Sequence, residues 1–239
     1  MLKHAPRSTR RQGARRSWNA IVAAGVLLAA PAVLAGEVPG VLVTLEVTTA
    51  LPLGEVPSAL PARFVLLEDG HVFVGGTSQM VAGRLDKVEV KDLEQRLALV
   101  RKMPGFAARI AFGDAPLPSY RLQSPKSKLE AVVTGDLAAA PPALRPMAVL
   151  LRDLSEFHHA SLRPYEPASF LLSAVEAPLV GGCRPWRQAP PLAEVLASPR
   201  AVDAKSAYDW PTGALPAFAC DGDRRFVVTH RPLLPGERP

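Results

Sequence analysis

Asparagine is nearly missing from this chain of 239 residues; Asn19 is the single example. Its turns must therefore come from Asp-Gly and proline rather than Asn-Gly. Cysteine is almost as scarce, with only Cys183 and Cys220, and no Cys-x-x-Cys that would suggest a dithiol redox motif. Gly-x-Ser-x-Gly, His-Glu-x-x-His, Ser-x-x-Lys and the dinucleotide fingerprint are all absent. Those absences remove the locally encoded hydrolase, metalloprotease and cofactor sites, and leave only a site assembled from distant residues. Acidic side chains are missing from positions 1–35, which carry Lys3, Arg7, Arg10, Arg11, Arg15 and Arg16.

Directly after those cations comes an apolar run from Ala20 to Ala35, sixteen residues broken by Pro31. A spanning helix needs about 20 apolar residues. Positive region, short apolar core and the small-residue exit Val33-Leu34-Ala35 together predict a secretory signal peptide over 1–35, cleaved after Ala35. A retained N-terminal anchor is the alternative. Arg10-Arg11 and Arg15-Arg16 raise the twin-arginine route, but neither pair is followed by Phe-Leu. No cysteine lies near the cleavage point, which argues against a lipid anchor. The expected destination is the periplasm or the medium.

Cleavage changes the charge balance. The whole chain has 28 Lys+Arg against 22 Asp+Glu; removing six leader cations leaves 22 against 22. A nucleic-acid partner needs a basic patch on the folded domain, and Arg224-Arg225 is the only adjacent arginine pair left. No nucleic acid, no cofactor and no membrane span after cleavage are expected.

The 204 residues after position 35 (239 − 35) suffice for one sizeable domain or two small ones. In an oxidising compartment, Cys183 and Cys220 are most simply a disulfide. The sequence "VLVTLEVTT" alternates, with Val41, Val43, Leu45 and Val47 on one face of a strand. "RFVLLEDGHVFVGG" reads as a hairpin turning at Asp69-Gly70. Val90, Leu93, Leu97 and Val100 form a helical stripe, opened by the capping-box spacing of Asp86 and Glu89 and stopped by Pro104-Gly105. A second hairpin over "SYRLQSPKSKLEAVVTG" precedes a second helix with Met147, Leu150, Leu151 and Leu154 inward. The pattern predicts an α+β fold: an antiparallel sheet built from hairpins over 36–163, with two amphipathic helices on one face. Residues 164–239 hold twelve of the 25 prolines and read as a disulfide-stapled, proline-rich subdomain packed on that unit.

Candidate sites are few. His71 follows Asp69-Gly70, and turn chemistry explains that stretch without catalysis. Glu156 and His159 have a spacing that can place two ligands on one helical face, with His158 between them. A metal there would need His71 or His230 as well, and histidines at a helix C-terminus suit its dipole without any metal. Asp221-Gly222-Asp223 lacks the further oxygens of a calcium loop. Gly75-Gly76 and Gly181-Gly182 have no phosphate-loop context. Tyr165, Trp186, Tyr208 and Trp210 gather in the proline-rich part, either as a ligand-binding face or as caps on a small core.

On "FVLLEDGHVFVGG", "LDKVEVKDLEQRLALV" and the terminal "FVVTHRPLLP", the chain resembles a loose group of exported bacterial proteins of unknown function. Those are often lipoproteins, built around a Phe-x-Leu-x-x-Asp-Gly-x-Val hairpin and ending in an Arg-Pro-Leu-Leu-Pro-like segment. The resemblance spans Phe64 to Pro235 and implies export and fold, with no catalytic residues. Two functions fit these features. One is a non-enzymatic exported module that binds a protein, peptide or cell-envelope partner. The other is an exported hydrolase or metal-dependent enzyme using His71, His158, His159 or His230.

Overall fold

The computed structural model describes residues 40–49, 63–75, 80–176, 182–187, 190–205 and 217–237. The expected leader over 1–35 lies outside these residues, as do Tyr208, Trp210, Gly76 and Gly181. The described residues form a mixed α+β fold with two sheets and few helices. None of those helices is long and apolar enough to cross a membrane.

The first sheet uses β1 (Val41–Thr48), β2 (Phe64–Leu67), β3 (His71–Val74), β4 (Val81–Arg84), β5 (Arg109–Phe112), β6 (Ser119–Ser124), β7 (Leu129–Gly135) and β8 (Arg163–Pro164). Their spatial order is β5-β7-β6-β1-β2-β3-β4-β8. Asp69-Gly70 lies in the turn joining β2 to β3, where Gly70 donates to Leu67 O at 3.0 Å. Neighbours run antiparallel except β5 and β7, which are parallel. That parallel pair departs from an all-antiparallel sheet. It arises because the chain crosses from β5 to β6 and reaches β7 only on the return, so β7 points the same way as β5. Gly135, at the end of β7, has φ +95°, and a Cβ there would stand 2.1 Å from Phe112 O. Only glycine allows the two parallel strands to close at that point.

Helix α1 (Lys87–Lys102) starts as its capping chemistry requires. Asp86 accepts from the Val88 and Glu89 amides, and Glu89 accepts back from the Asp86 amide at 2.8 Å. Leu93, Leu97 and Val100 are buried. Helix α2 (Arg145–Ser155) buries Met147, Ala148, Leu150, Leu151 and Leu154. It begins later than the proline-rich run before it suggests, because Pro142–Leu144 form a 3₁₀ turn. Pro146 is accepted in the first helical turn, where its missing N–H would have had no partner. Both helices pack on one cluster that includes Leu42, Leu45, Phe64, Leu66, Phe112 and Leu122. Arg63 ties α2 to the sheet, donating to Ser155 O at 2.5 Å and Gly75 O at 2.6 Å. Its cation also sits where the helix dipole favours positive charge.

The strict alternation of β1 fails at its start. The register shifts between Val41 and Val43, so Leu42 and Val43 are both buried. Val41 instead packs with a third cluster made of Val65, Phe73, Met80 and Leu234, with Leu67, Ala82 and Tyr165 at its edge. The central strands are thus covered on both faces.

Past β8 the chain enters the second sheet: β9 (Ser169–Glu176), β10 (Arg184–Pro185), β11 (Arg200–Asp203), β12 (Ala217–Asp221) and β13 (Arg224–Pro232), with α3 (Leu192–Ala197) beside β9. The order is β10-β12-β13-β9-β11, with β10 and β12 parallel. Cys183 and Cys220 form a disulfide that joins this parallel edge, with Cα atoms 5.6 Å apart. After β13 the chain folds back. Leu234 enters the third cluster, and Arg231 and Glu237 form a buried ion pair, 8% and 1% exposed at their side chains.

Candidate functional site

His71, His158, His159 and His230 do not converge on a metal site. Among the described residues, no group of three or more His, Cys, Asp or Glu side chains is placed to hold a metal ion. His71 is exposed at the start of β3, its Nδ1 2.7 Å from Asp69 Oδ2. Hydrogen bonds from the His71 backbone and ring hold the Asp69 carboxyl below its usual range. His158 is exposed just after α2. His230 lies on β13 in the second sheet, edge-to-face with Phe170 at 5.5 Å.

His159 does meet a serine and a carboxylate. Its Nδ1 is 2.7 Å from Ser161 Oγ, and its Nε2 is 3.1 Å from Glu89 Oε1. The Ser161 amide also donates to Nδ1, at 3.2 Å. A serine, a base and an orienting carboxylate in series are the parts of a nucleophile triad. The hydroxyl is committed elsewhere, however. Ser161 Oγ accepts from Arg84 N at 2.9 Å and lies 3.0 Å from Arg84 O, bridging the edge of β4. A Cβ on Gly83 would meet Oγ at 2.5 Å, so strand backbone also covers the oxygen. The trio is a clasp that fastens the segment after α2 to β4 and to the first turn of α1. Replacing Ser161 by Ala is expected to lower stability by about 1 kcal/mol, the usual net worth of such a bond. Thermal melting checks this, and hydrolysis of a generic ester by the purified chain should not change with the substitution.

His230 carries a pH signature. Burial holds its pKa below the ordinary 6.5. The unfolded state therefore takes up the proton first, so this contribution to stability is complete above that value and declines as pH falls through the lower folded pKa. Denaturant midpoints should drop on going from neutral pH to about pH 5, and His230→Gln should shrink that drop.

Of the four aromatics, Tyr165 and Trp186 are described, and both are half-buried. Tyr165 donates to Leu233 O at 2.9 Å and packs edge-to-face on Phe73 at 5.2 Å. Burial, with a smaller contribution from Glu237, pushes its phenol pKa up. Trp186 packs on the second-sheet core and donates from Nε1 to Pro190 O at 2.9 Å. Each ring thus caps a core and directs its polar atom to backbone.

A groove of about 500 Å³ lies between α2 and the segment after β7. Tyr120 of β6 forms part of its floor, 9% exposed. Asp136 borders it and accepts from the Ala138 amide at 2.9 Å with one carboxylate oxygen. Along α2, Arg145, Ala148, Val149 and Arg152 line it at three-, four- and seven-residue steps, with Glu156 just beyond the helix. Among the described residues, the side chains of Arg145, Arg152 and Glu156 form no hydrogen bond or ion pair, and the Tyr120 hydroxyl has no hydrogen-bond partner. Burial pushes the Tyr120 phenol pKa up, and the charges of Asp136 and Glu156 push it further. The hydroxyl therefore remains a protonated donor. No local motif announces this groove, because its polar groups come from β6, the β7 exit and α2, and only the Arg145-to-Arg152 spacing is visible on one element. No family model, no curated protein and no solved structure matches this chain.

Proposed function

We propose that this chain is an exported, non-enzymatic module of the cell envelope that binds a peptide-like partner. The observation that carries the proposal is the α2 groove, where Tyr120, Arg145, Arg152 and Glu156 present polar groups that serve no partner among the described residues. Such groups, set among apolar walls, are what a binding site requires. The disulfide fits an oxidising compartment, as does the expected leader over 1–35. The resemblance to a loose group of exported bacterial proteins agrees with export. In the other sheet, the proline-rich, disulfide-stapled segment supplies a rigid edge beside the same scaffold.

Two measurements test this in the producing cell. Mass spectrometry of the native N-terminus should find Gly36 first. A photo-crosslinking residue at exposed Val149 should capture a discrete partner that the same residue at Lys91, on α1, does not. Adducts at Val149 should weaken when Arg145 and Arg152 are both replaced by Gln. Turnover of a generic ester or peptide substrate, with no adduct at Val149, overturns the proposal.

A further inference from the structure

We infer that the α2 groove takes a ligand carrying both a primary ammonium and a carboxylate, an amino acid or a short peptide with free ends. This rests on the groove being a binding site and adds the chemistry of its occupant. Tyr120 is nine-tenths buried, yet its hydroxyl opens into the groove without a partner among the described residues. That hydroxyl is free to bond a ligand atom that enters the groove.

Asp136 and Glu156 line the same groove as Tyr120. One Asp136 oxygen is used by the Ala138 amide, leaving the other, together with both Glu156 oxygens and the phenol oxygen, to accept from an ammonium group. Arg145 and Arg152 stand further along α2, seven residues and thus about 10 Å apart along its axis. Guanidinium forks pair well with carboxylates.

Signs decide the ligand class. The lining carries two arginines against Asp136 and Glu156, so its formal charge cancels. A purely anionic ligand would meet two carboxylates, and a purely cationic one two guanidinium groups. A zwitterion satisfies both ends. Leu137, Ala140, Ala148 and Val149 supply apolar walls for small side chains, and Val149 is 40% exposed. The volume of about 500 Å³ falls in the range of small-ligand sites, about 300–1,000 Å³.

The test is titration of the full chain with trialanine bearing free termini, read by calorimetry and by NMR of the α2 and β6 amides. Saturable binding is expected, with shifts centred on Tyr120 and Arg152. Amidating the peptide carboxylate should weaken binding about tenfold, the loss of one charge-assisted pair. The double substitution Arg145→Gln, Arg152→Gln should remove that difference between free and amidated peptide. Acetylating the amine should weaken binding too, and Glu156→Gln should erase that preference. Tyr120→Phe should bind several-fold more weakly at unchanged melting temperature, while Lys91→Gln should bind as the parent does. Absence of saturable binding at millimolar trialanine overturns the inference, as does binding indifferent to both end caps. Either result alongside persistent Val149 crosslinks removes the ligand class and leaves the binding function standing.

Discussion

Replacing Cys183 and Cys220 together by Ser should lower the free energy of unfolding by about 3–4 kcal/mol. The bond spans 37 residues of sequence, and closing a loop of that length restricts the unfolded chain. The folded state loses support as well. β10 contributes only Arg184 and Pro185 to the sheet, and its pairing with Ala219 and Cys220 sits next to the bond. Trp186, the next residue, donates its amide to Cys220 O at 2.8 Å and packs on the second core. Guanidinium unfolding with and without reductant measures the effect. The parent midpoint should fall on reduction, and the double-serine variant should ignore the reductant. An unchanged midpoint would mean that the second sheet holds its edge without the crosslink.

Replacing Glu237 by Gln should cost about 3–5 kcal/mol, because it leaves a buried guanidinium without its counter-charge. Arg231 faces both Glu237 oxygens, with Nη1 3.0 Å from Oε2 and Nη2 bonded to Oε1. The same carboxylate accepts from the Leu234 amide at 3.0 Å, so it also shapes the return of the chain. Arg231→Met should cost a similar amount by stranding Glu237. Removing both charges, as Arg231→Met with Glu237→Leu, should recover much of the loss, since an apolar pair needs no compensation in a dry site. Denaturant midpoints of the four proteins form a double-mutant cycle, and the coupling should persist at high salt because the pair is shielded from solvent. A coupling near zero would show that the Leu233–Glu237 return stands without the ion pair.

Sequence alone reveals structure wherever structure is decided locally. Asp86 and Glu89 mark the start of α1, and Leu93, Leu97 and Val100 its inward face, because capping and helical spacing need no distant partner. Asp69-Gly70 marks the turn into β3 for the same reason. Legibility ends where partners are remote. β4 is four residues with Gly83 in its middle, and β5 is the equally short "RIAF"; their neighbours across the sheet make them strands. The parallel run of β5 along β7 has no local signal, although Gly135 is its local requirement. Alternation in β1 misplaces Leu42, because a sheet covered on both faces buries both sets of side chains. Spacing pairs His159 with Glu156, whereas its actual carboxylate, Glu89, is 70 positions away. Tyr120 looks like an ordinary strand residue, since nothing in "SYRLQS" reveals that it shares a groove with Asp136 and Glu156.

Glu89 answers to two masters. One oxygen holds the first turn of α1 and the other meets His159, so a lesion in the segment after α2 is felt at the birthplace of a helix formed 70 residues earlier. The two stretches should therefore drift through evolution as a matched set, and a loop transplanted into 156–162 without its own histidine would deprive Glu89 of its second partner at the first turn of α1.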